Sequence, residues 1–145
     1  MSESLVLRIA RESDDVRMRE WVCAREDYSA FPLPLQEQLA ETQWRGWRAS
    51  LREQDGATTW VLCEDVNAVG VLVLHGARIL DVIVAPQERN RGIGTWLLEK
   101  LQREHEVLEL QVLRGSPARR LYERQGFVVT DEDALHVHMR WLRTP

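Results

Sequence analysis

The chain has 145 residues with 44% hydrophobic and 29% charged side chains, which suits one globular domain over residues 1–145 with its own core. Its net charge of −4 argues against general nucleic-acid binding, and no apolar run approaches the roughly 20 residues of a membrane-spanning helix. The N-terminus lacks the basic segment and apolar core of a secretory signal, so we expect a cytoplasmic protein without a membrane partner. Cys23 and Cys63 have no metal-ligand spacing, and we expect both to be reduced.

The chain begins with a predicted strand and a predicted helix. Residues 5–9 are mostly aliphatic, and the hydroxyl and acidic side chains at 13–15 suit the start of a helix that runs to about residue 25. Glu26 and Asp27 follow near a loop, where they either bind a cationic substrate or lie on the solvated surface. Of these two interpretations we favour the surface.

A four-residue period predicts a long second helix after a loop over residues 27–34. Its stripe consists of Leu35, Leu39, Gln43, Trp47 and Leu51. Strands are then predicted at 58–63 and 69–74, where β-branched and apolar residues are frequent, with a hairpin turn at 65–67. A sheet therefore starts to form in the middle of the chain.

The apolar run 78–84 predicts a central strand that is buried on both faces. Pro86 ends this strand, because proline cannot donate to a sheet ladder. Several consecutive strands followed by a strand–helix–strand unit predict a mixed sheet that is largely antiparallel with one parallel junction.

A polar loop with the sequence Arg89-Asn90-Arg91-Gly92-Ile93-Gly94 follows the central strand and leads into a helix. A helix start carries unpaired N–H groups and the positive end of the helix dipole, and the glycines let a ligand approach the backbone. With two arginines, this combination predicts an anion site, and we favour a phosphate or pyrophosphate as the ligand. An ordinary strand-to-helix turn is the alternative.

The loop lacks residues that two common phosphate-binding motifs require. A dinucleotide fingerprint needs a third glycine where Leu97 stands, and a P-loop needs a lysine where Thr95 follows Gly94. The loop is therefore neither of these two motifs.

The last third of the chain alternates helices and strands. Apolar residues on one face predict a helix from about residue 93, and alternation predicts a strand at 107–112. Ser116, followed by proline, marks the start of another helix. The final two strands are predicted at 127–130 and 135–142.

Two motifs in this order resemble the GCN5-related N-acetyltransferase (GNAT) family. Arg89, Gly92 and Gly94 match the family's acetyl-CoA loop, Gln/Arg-x-x-Gly-x-Gly/Ala, and the preceding Val-Ala-Pro matches its Val-x-Pro strand ending. Residues 116–127 resemble the second signature, Asn-x-x-Ala/Arg-x-x-Tyr-Glu-x-x-Gly-Phe. Ser116 stands where the family often has asparagine, so the shorter serine hydroxyl replaces the amide that contacts the cofactor in the family.

The resemblance implies an α/β (α+β) single-domain fold with a mixed, mostly antiparallel sheet of six or seven strands and about four helices. The sheet is expected to splay between the central strand, 78–84, and the following strand, 107–112. The resemblance also implies acetyl-CoA as cosubstrate without a metal, and acetyl transfer to a primary amine by direct attack in a ternary complex. The acceptor, a small molecule or a peptide, and the oligomeric state, a homodimer included, stay open.

Cofactor contacts carried over from the family fall on the central strand, the loop and the second motif. They are Val82, Ile83, Val84, Arg89, Asn90, Arg91, Gly92, Ile93, Gly94, Thr95, Ser116, Arg119 and Tyr122. The resemblance also implies that Tyr122 donates a proton to the departing thiolate. Alternatively, Tyr122 packs in the core and its hydroxyl is hydrogen-bonded within the protein.

Asp81 is the charged residue inside the apolar central strand, and a buried carboxylate must be paired or have a raised pKa. Its two interpretations are a base that draws a proton from the amine through water, and a structural group that orients the backbone or pairs with Arg78.

Two other sets of side chains can be interpreted either as functional or as purely structural. His136 and His138 share one face of the last strand, but no third ligand is evident by spacing, so we do not expect a metal. Trp21, Trp44 and Trp47 either line an apolar substrate cleft or pack in the core, and packing is the default for a helical stripe.

Two competing functions stay open at this stage. A CoA-sensing module would keep the cofactor without catalysis, and a binder of another nucleotide would use the same anion site.

Overall fold

The computed structural model describes residues 4–25, 28–53 and 55–144 and contains one sheet with helices on both faces. The strands are β1 (Leu5–Ile9), β2 (Thr58–Glu64), β3 (Asn67–His75), β4 (Arg78–Val84), β5 (Val107–Leu113), β6 (Val128–Glu132) and β7 (His136–Leu142). The helices are α1 (Asp15–Cys23), α2 (Leu33–Arg52), α3 (Ile93–Glu104) and α4 (Ala118–Arg124). No helix within these described ranges has the length and apolarity needed to cross a membrane.

The seven strands lie in the order β1-β2-β3-β4-β5-β7-β6. Every neighbouring pair is antiparallel except β4 and β5, which confirms the predicted mixed sheet. The parallel pairing consists of two residue pairs, Arg78 with Glu109 and Ile79 with Leu110. Beyond them the strands separate, which confirms the predicted splay between β4 and β5.

A β-bulge in β4 accompanies this separation. Val73 of β3 pairs with Asp81, but Leu74 pairs with Ile79, so Leu80 is an extra residue on β4. A bulge bends its strand and increases the local twist, which turns β4 away from β5. The bulge also places Leu80 and Asp81 on the same side of the sheet, where both contact the layer formed by α1 and α2.

Each face of the sheet has its own apolar core. On one face α3 and α4 pack on the sheet through residues such as Leu97, Leu101 and Tyr122. On the other face α1 and α2 contribute Trp21, which is buried, with Trp44 and Trp47 beside it. The rings of Trp44 and Trp47 stack with centroids 5.5 Å apart, so both residues take part in the packing of this layer.

Several predicted boundaries differ from the structure by one or two residues, among them the ends of β3, which is longer than the predicted strand 69–74. Helix α2 starts at Leu33, so the loop predicted to reach residue 34 is too long. Proline is tolerated in the first turn of a helix, because N–H groups there have no helical partner. Strand β6 ends at Glu132 rather than at residue 130, because Asp131 and Glu132 still pair with β7.

We predict that Gly70→Ala destabilises the protein by about 1–3 kcal/mol, a typical effect of overpacking. A Cβ at Gly70 would lie 2.8 Å from the Ile83 carbonyl oxygen, and this backbone atom is fixed by the pairing of β3 with β4. The measurement is the free energy of unfolding in urea. Gly46→Ala is the matched control: its Cβ would meet nothing within 4 Å inside α2, so we expect a gain of up to about 1 kcal/mol. Equal effects at the two sites would contradict the prediction.

Candidate active site

The start of α3 leaves a row of backbone N–H groups without partners. The first helical hydrogen bond runs from the Trp96 N–H to the Gly92 carbonyl over 2.9 Å, and no side chain caps the helix. Within the described part of the chain, the N–H groups of Ile93, Gly94 and Thr95 therefore have no acceptor. This arrangement suits an anion that accepts several hydrogen bonds at once.

The two glycines of this loop have different surroundings. Gly92 has a φ of +79°, and a Cβ there would meet no atom within 4 Å, so the space beside it is open to a ligand. A Cβ on Gly94 would lie 3.0 Å from Cδ2 of Leu121, so Gly94 also allows α3 to pack closely on α4. Asn90 has a left-handed φ of 64°, which asparagine adopts more readily than most residues.

The two arginines of the loop differ in their ion pairs. Nη2 of Arg91 lies 3.1 and 3.0 Å from the two carboxylate oxygens of Glu64, and Nη1 contacts Glu88. These two ion pairs raise the pKa of Arg91 above its ordinary value, and the pair with Glu64 has the larger effect. Arg89 is exposed and has no ion pair among the residues that the structure describes. The unneutralised positive charge of the loop is therefore that of Arg89.

Tyr122 of α4 belongs to the core cluster that also contains Ile79 of β4 and Leu110 of β5. Its side chain is buried and meets the ring of Phe127 edge-on at 5.7 Å. Within the described ranges its hydroxyl has no hydrogen-bond partner. No side-chain oxygen or nitrogen in these ranges is both without a partner and inaccessible to solvent, so solvent reaches the Tyr122 hydroxyl. The pKa of Tyr122 is raised to about 12, mainly by burial and to a smaller extent by the negative charge of Asp81. The positive charge of Arg25 lowers this pKa by a smaller amount. The phenol is therefore protonated at neutral pH.

Asp81 is held by groups from α2 and from the turn after α1. Nη2 of Arg25 donates to Oδ1 over 2.6 Å, and Nε1 of Trp47 donates to Oδ2 over 2.8 Å. The suggested pairing with Arg78 is therefore wrong, because Arg25 is the ion-pair partner. Both carboxylate oxygens already accept a strong hydrogen bond, and 19% of the side chain stays exposed.

A cavity of about 160 Å³ lies beside Asp81, on the α1–α2 side of the sheet. Its lining residues come from α2, β4 and β5 and are Trp47, Ser50, Leu51, Arg78, Ile79, Leu80, Asp81 and Gln111. Tyr122 belongs to the core on the opposite side, yet its pKa responds to Asp81. Asp81 and Tyr122 therefore belong to different faces of the sheet.

The other predicted cofactor contacts lie on β4, just before α4 and in α4. Residues 82–84 of β4, which are Val82, Ile83 and Val84, lie beyond the two pairs that join β4 to β5, so this edge has no ladder partner. Ser116 lies two residues before α4, and its Oγ accepts the Ala118 N–H over 3.2 Å. Nε of Arg119 lies 3.4 Å from Glu123.

Two sequence-derived candidates lie elsewhere. Glu26 and Asp27 fall outside the described residues. His136 and His138 flank Asp133, with closest approaches of 3.6 and 3.2 Å. Within the described ranges, no group of three or more histidine, cysteine or acidic side chains could hold a metal ion.

Comparison with known proteins assigns the family. Residues 55–129 match the sequence profile described as an acetyltransferase (GNAT) domain, which is more than half of the chain. The chain therefore belongs to the GNAT family. It is 36% identical over 77 residues to the peptidyl-lysine N-acetyltransferase YiaC of Escherichia coli (strain K12). That match covers 52% of the chain and 53% of YiaC, so it spans about half the length of this relative.

Solved structures share the fold at low sequence identity. The PaiA N-acetyltransferase from Thermoplasma acidophilum, in complex with coenzyme A, is 19% identical with a TM-score of 0.68, covering 97% of this chain and 99% of that one. The spermidine N-acetyltransferase from Vibrio cholerae, in complex with CoA and spermine, is 18% identical with a TM-score of 0.66, covering 97% and 96%. Both likenesses confirm the GNAT fold.

We predict that Tyr122 makes the protein less stable as the pH rises above about 10, the ordinary pKa of tyrosine. The unfolded chain then ionises the phenol, whereas the native state keeps it protonated up to about pH 12. The free energy of unfolding should fall more steeply with pH in the wild type than in Tyr122→Phe. Parallel curves for the two proteins above pH 10 would show that burial does not perturb this phenol.

Proposed function

We propose that residues 1–145 form one acetyl-CoA-dependent N-acetyltransferase domain that acetylates a primary amine by direct attack while both substrates are bound. The observation that carries the proposal is the row of free N–H groups at the start of α3, next to the opened edge of β4. The names of the relatives support the class of acceptor, because a peptidyl lysine and spermidine both present primary amines.

The residues of the α3 loop fit a diphosphate. The N–H groups of Ile93, Gly94 and Thr95 would hold its oxygens, with Arg89 as the accompanying positive charge. Three hydrogen bonds to a charged acceptor contribute about 1.5–3 kcal/mol each, which gives roughly 5–9 kcal/mol before ordering costs. This range reaches about micromolar affinity at its upper end. Asn90 and Gly92 shape the turn, and Ser116 and Arg119 would flank the pantetheine arm.

Acetyl-CoA, when bound, supplies the thioester acetyl group. The free edge of β4 over residues 82–84 provides backbone N–H groups that would hold the carbonyl oxygen as negative charge develops on it. An amine attacks as the neutral base, so its proton must leave first, and water in the cleft next to Asp81 is the proposed route.

Tyr122 would stabilise the leaving sulfur. Its hydroxyl oxygen carries a proton at neutral pH, because its pKa is about 12. A thiol has a pKa of about 8.5, so complete transfer from Tyr122 is uphill by roughly 3–4 pKa units. We therefore propose that Tyr122 donates a hydrogen bond to the sulfur and keeps most of the proton.

Asp81 has a proposed role on the acceptor side. Since Arg25 and Trp47 occupy its two oxygens, it holds these side chains around the cleft, and proton uptake would proceed through water at its exposed fraction. Neither cysteine lines the cleft: the Cys23 thiol donates to the Ala40 carbonyl, and Cys63 is buried in β2. This arrangement supports direct attack over an acyl-cysteine route.

We predict that acetyl-CoA and CoA bind with about micromolar affinity in isothermal titration calorimetry, and that ATP and NAD bind at least about tenfold more weakly. Arg89→Gln should weaken acetyl-CoA binding by about five- to twentyfold, because it removes the unpaired cation of the loop. Arg17→Gln is the charge-matched control on exposed α1 and should leave binding unchanged. If the purified protein binds neither acetyl-CoA nor CoA, the proposed function is wrong.

We predict that Tyr122→Phe lowers the turnover number by about tenfold or more, with acetyl-CoA affinity unchanged. The measurement is thiol release from acetyl-CoA over a panel of amines, with calorimetry in parallel. Substitution by phenylalanine keeps the ring packed on Phe127, so a loss of activity would report the hydroxyl. Cofactor binding without turnover of any amine would favour the CoA-sensing alternative instead.

A further inference from the structure

The cleft beside Asp81 has a charge pattern that restricts the acceptor, an inference that rests on the proposed acetyl transfer. Its volume of about 160 Å³ is below the roughly 300–1,000 Å³ of common small-molecule pockets, so it admits a compact group. Trp47, Leu51 and Leu80 make part of its lining apolar, which suits an alkyl chain.

The charges of the cleft do not favour a polycation. The carboxylate of Asp81 already pairs with Arg25 at 2.6 Å and accepts the Trp47 N–H at 2.8 Å. A second ammonium group would share this carboxylate with the Arg25 guanidinium, which already offsets its charge. It would also approach Arg78, a like charge that lines the same cleft. The acidic partner that a polyamine needs is therefore already occupied.

Arg78 is the cation of the cleft that is available to a ligand. Its side chain is exposed at the start of β4, and within the described parts of the chain it has no ion pair or hydrogen bond. A guanidinium group binds a carboxylate through two parallel hydrogen bonds, which gives both affinity and orientation. The cleft thus has an anion-binding end at Arg78, next to Gln111.

The strand sets the distance between this end and the proposed reaction centre. At about 3.3 Å per residue, and with one bulged residue, Arg78 and Val82 are separated by roughly 10 Å along β4. The anion and the amine of an acceptor that touches both points must therefore lie at opposite ends of a chain of several carbons.

We propose that the acceptor is a compact primary amine whose far end carries a carboxylate, that is, an ω-amino acid. Arg78 binds the carboxylate, the alkyl chain lies against Trp47 and Leu51, and the amine enters the gap near Asp81. Arg78 is then a specificity-determining residue that lies outside the predicted catalytic and cofactor set.

The test compares ε-aminocaproate with its neutral amide, ε-aminocaproamide, and with spermidine in the thiol-release assay. These first two molecules have nearly the same size and differ in charge. We expect kcat/KM to be about tenfold or more higher for the carboxylate, the effect of one charge-assisted pair. Equal values for the two, or a preference for spermidine, would overturn the inference and leave the acetyltransferase proposal intact.

Variants of Arg78 assign the preference to that side chain. Arg78→Gln should lower kcat/KM for ε-aminocaproate by about tenfold and leave the amide unchanged, and Arg78→Lys should restore part of the loss. Arg17→Gln removes the same charge from exposed α1 and should change neither substrate. Circular dichroism and melting temperature confirm that each variant is folded. A preference that survives in Arg78→Gln would contradict the assignment.

A binding measurement covers the case in which neither compound is turned over. Trp47 lies in the cleft, so intrinsic tryptophan fluorescence of the CoA complex reports occupancy. Tighter binding of ε-aminocaproate than of its amide, lost in Arg78→Gln, supports the inference, and equal binding refutes it. Failure of acetyl-CoA itself to bind in calorimetry identifies the proposed function as the part that is wrong.

Discussion

The early end of the pairing between β4 and β5 is the constraint on which the rest of the site depends. Two residue pairs join these strands, and the bulge at Leu80 then turns β4 away from its neighbour. An unpaired strand edge inside a sheet is costly unless a ligand, water or another segment satisfies its N–H and C=O groups. An opened edge in the middle of the fold is therefore a place where a ligand can bind by backbone hydrogen bonds.

The same opening brings together groups from layers that a closed sheet would keep apart. Tyr122 belongs to the α3–α4 core, whereas Asp81 contacts the α1–α2 layer, yet the charge of Asp81 affects the phenol. In the proposed function, a ligand held by the start of α3 would enter the gap from one face, and the acceptor would approach from the cleft on the other. Two separate binding sites that meet at one point are what direct transfer between two bound substrates requires.

Local signals in the sequence were sufficient for most of the fold, and contacts between distant residues account for what they missed. The strand ending at residue 84, the glycine loop and the start of α3 are adjacent in the chain, so short-range patterns predicted them well. The partner of Asp81 could not be found in this way, because Arg25 and Trp47 are distant in sequence. Nor does any pattern near Arg91 indicate that Glu64 of β2 neutralises it.

The ion pairs of Arg91 bear on how the loop would bind an anion in the proposed function. Glu64 and Glu88 together carry one more charge than Arg91, so this cluster repels a diphosphate slightly instead of attracting it. Attraction must therefore come from Arg89 and from the aligned dipoles at the start of α3. Backbone dipoles keep their direction because the helix is fixed by its apolar face, whereas a long exposed side chain loses conformational entropy when it binds. The ion pair of Arg91 with Glu64 ties the loop to the end of β2, so in the proposed anion site it would fix the shape of the loop.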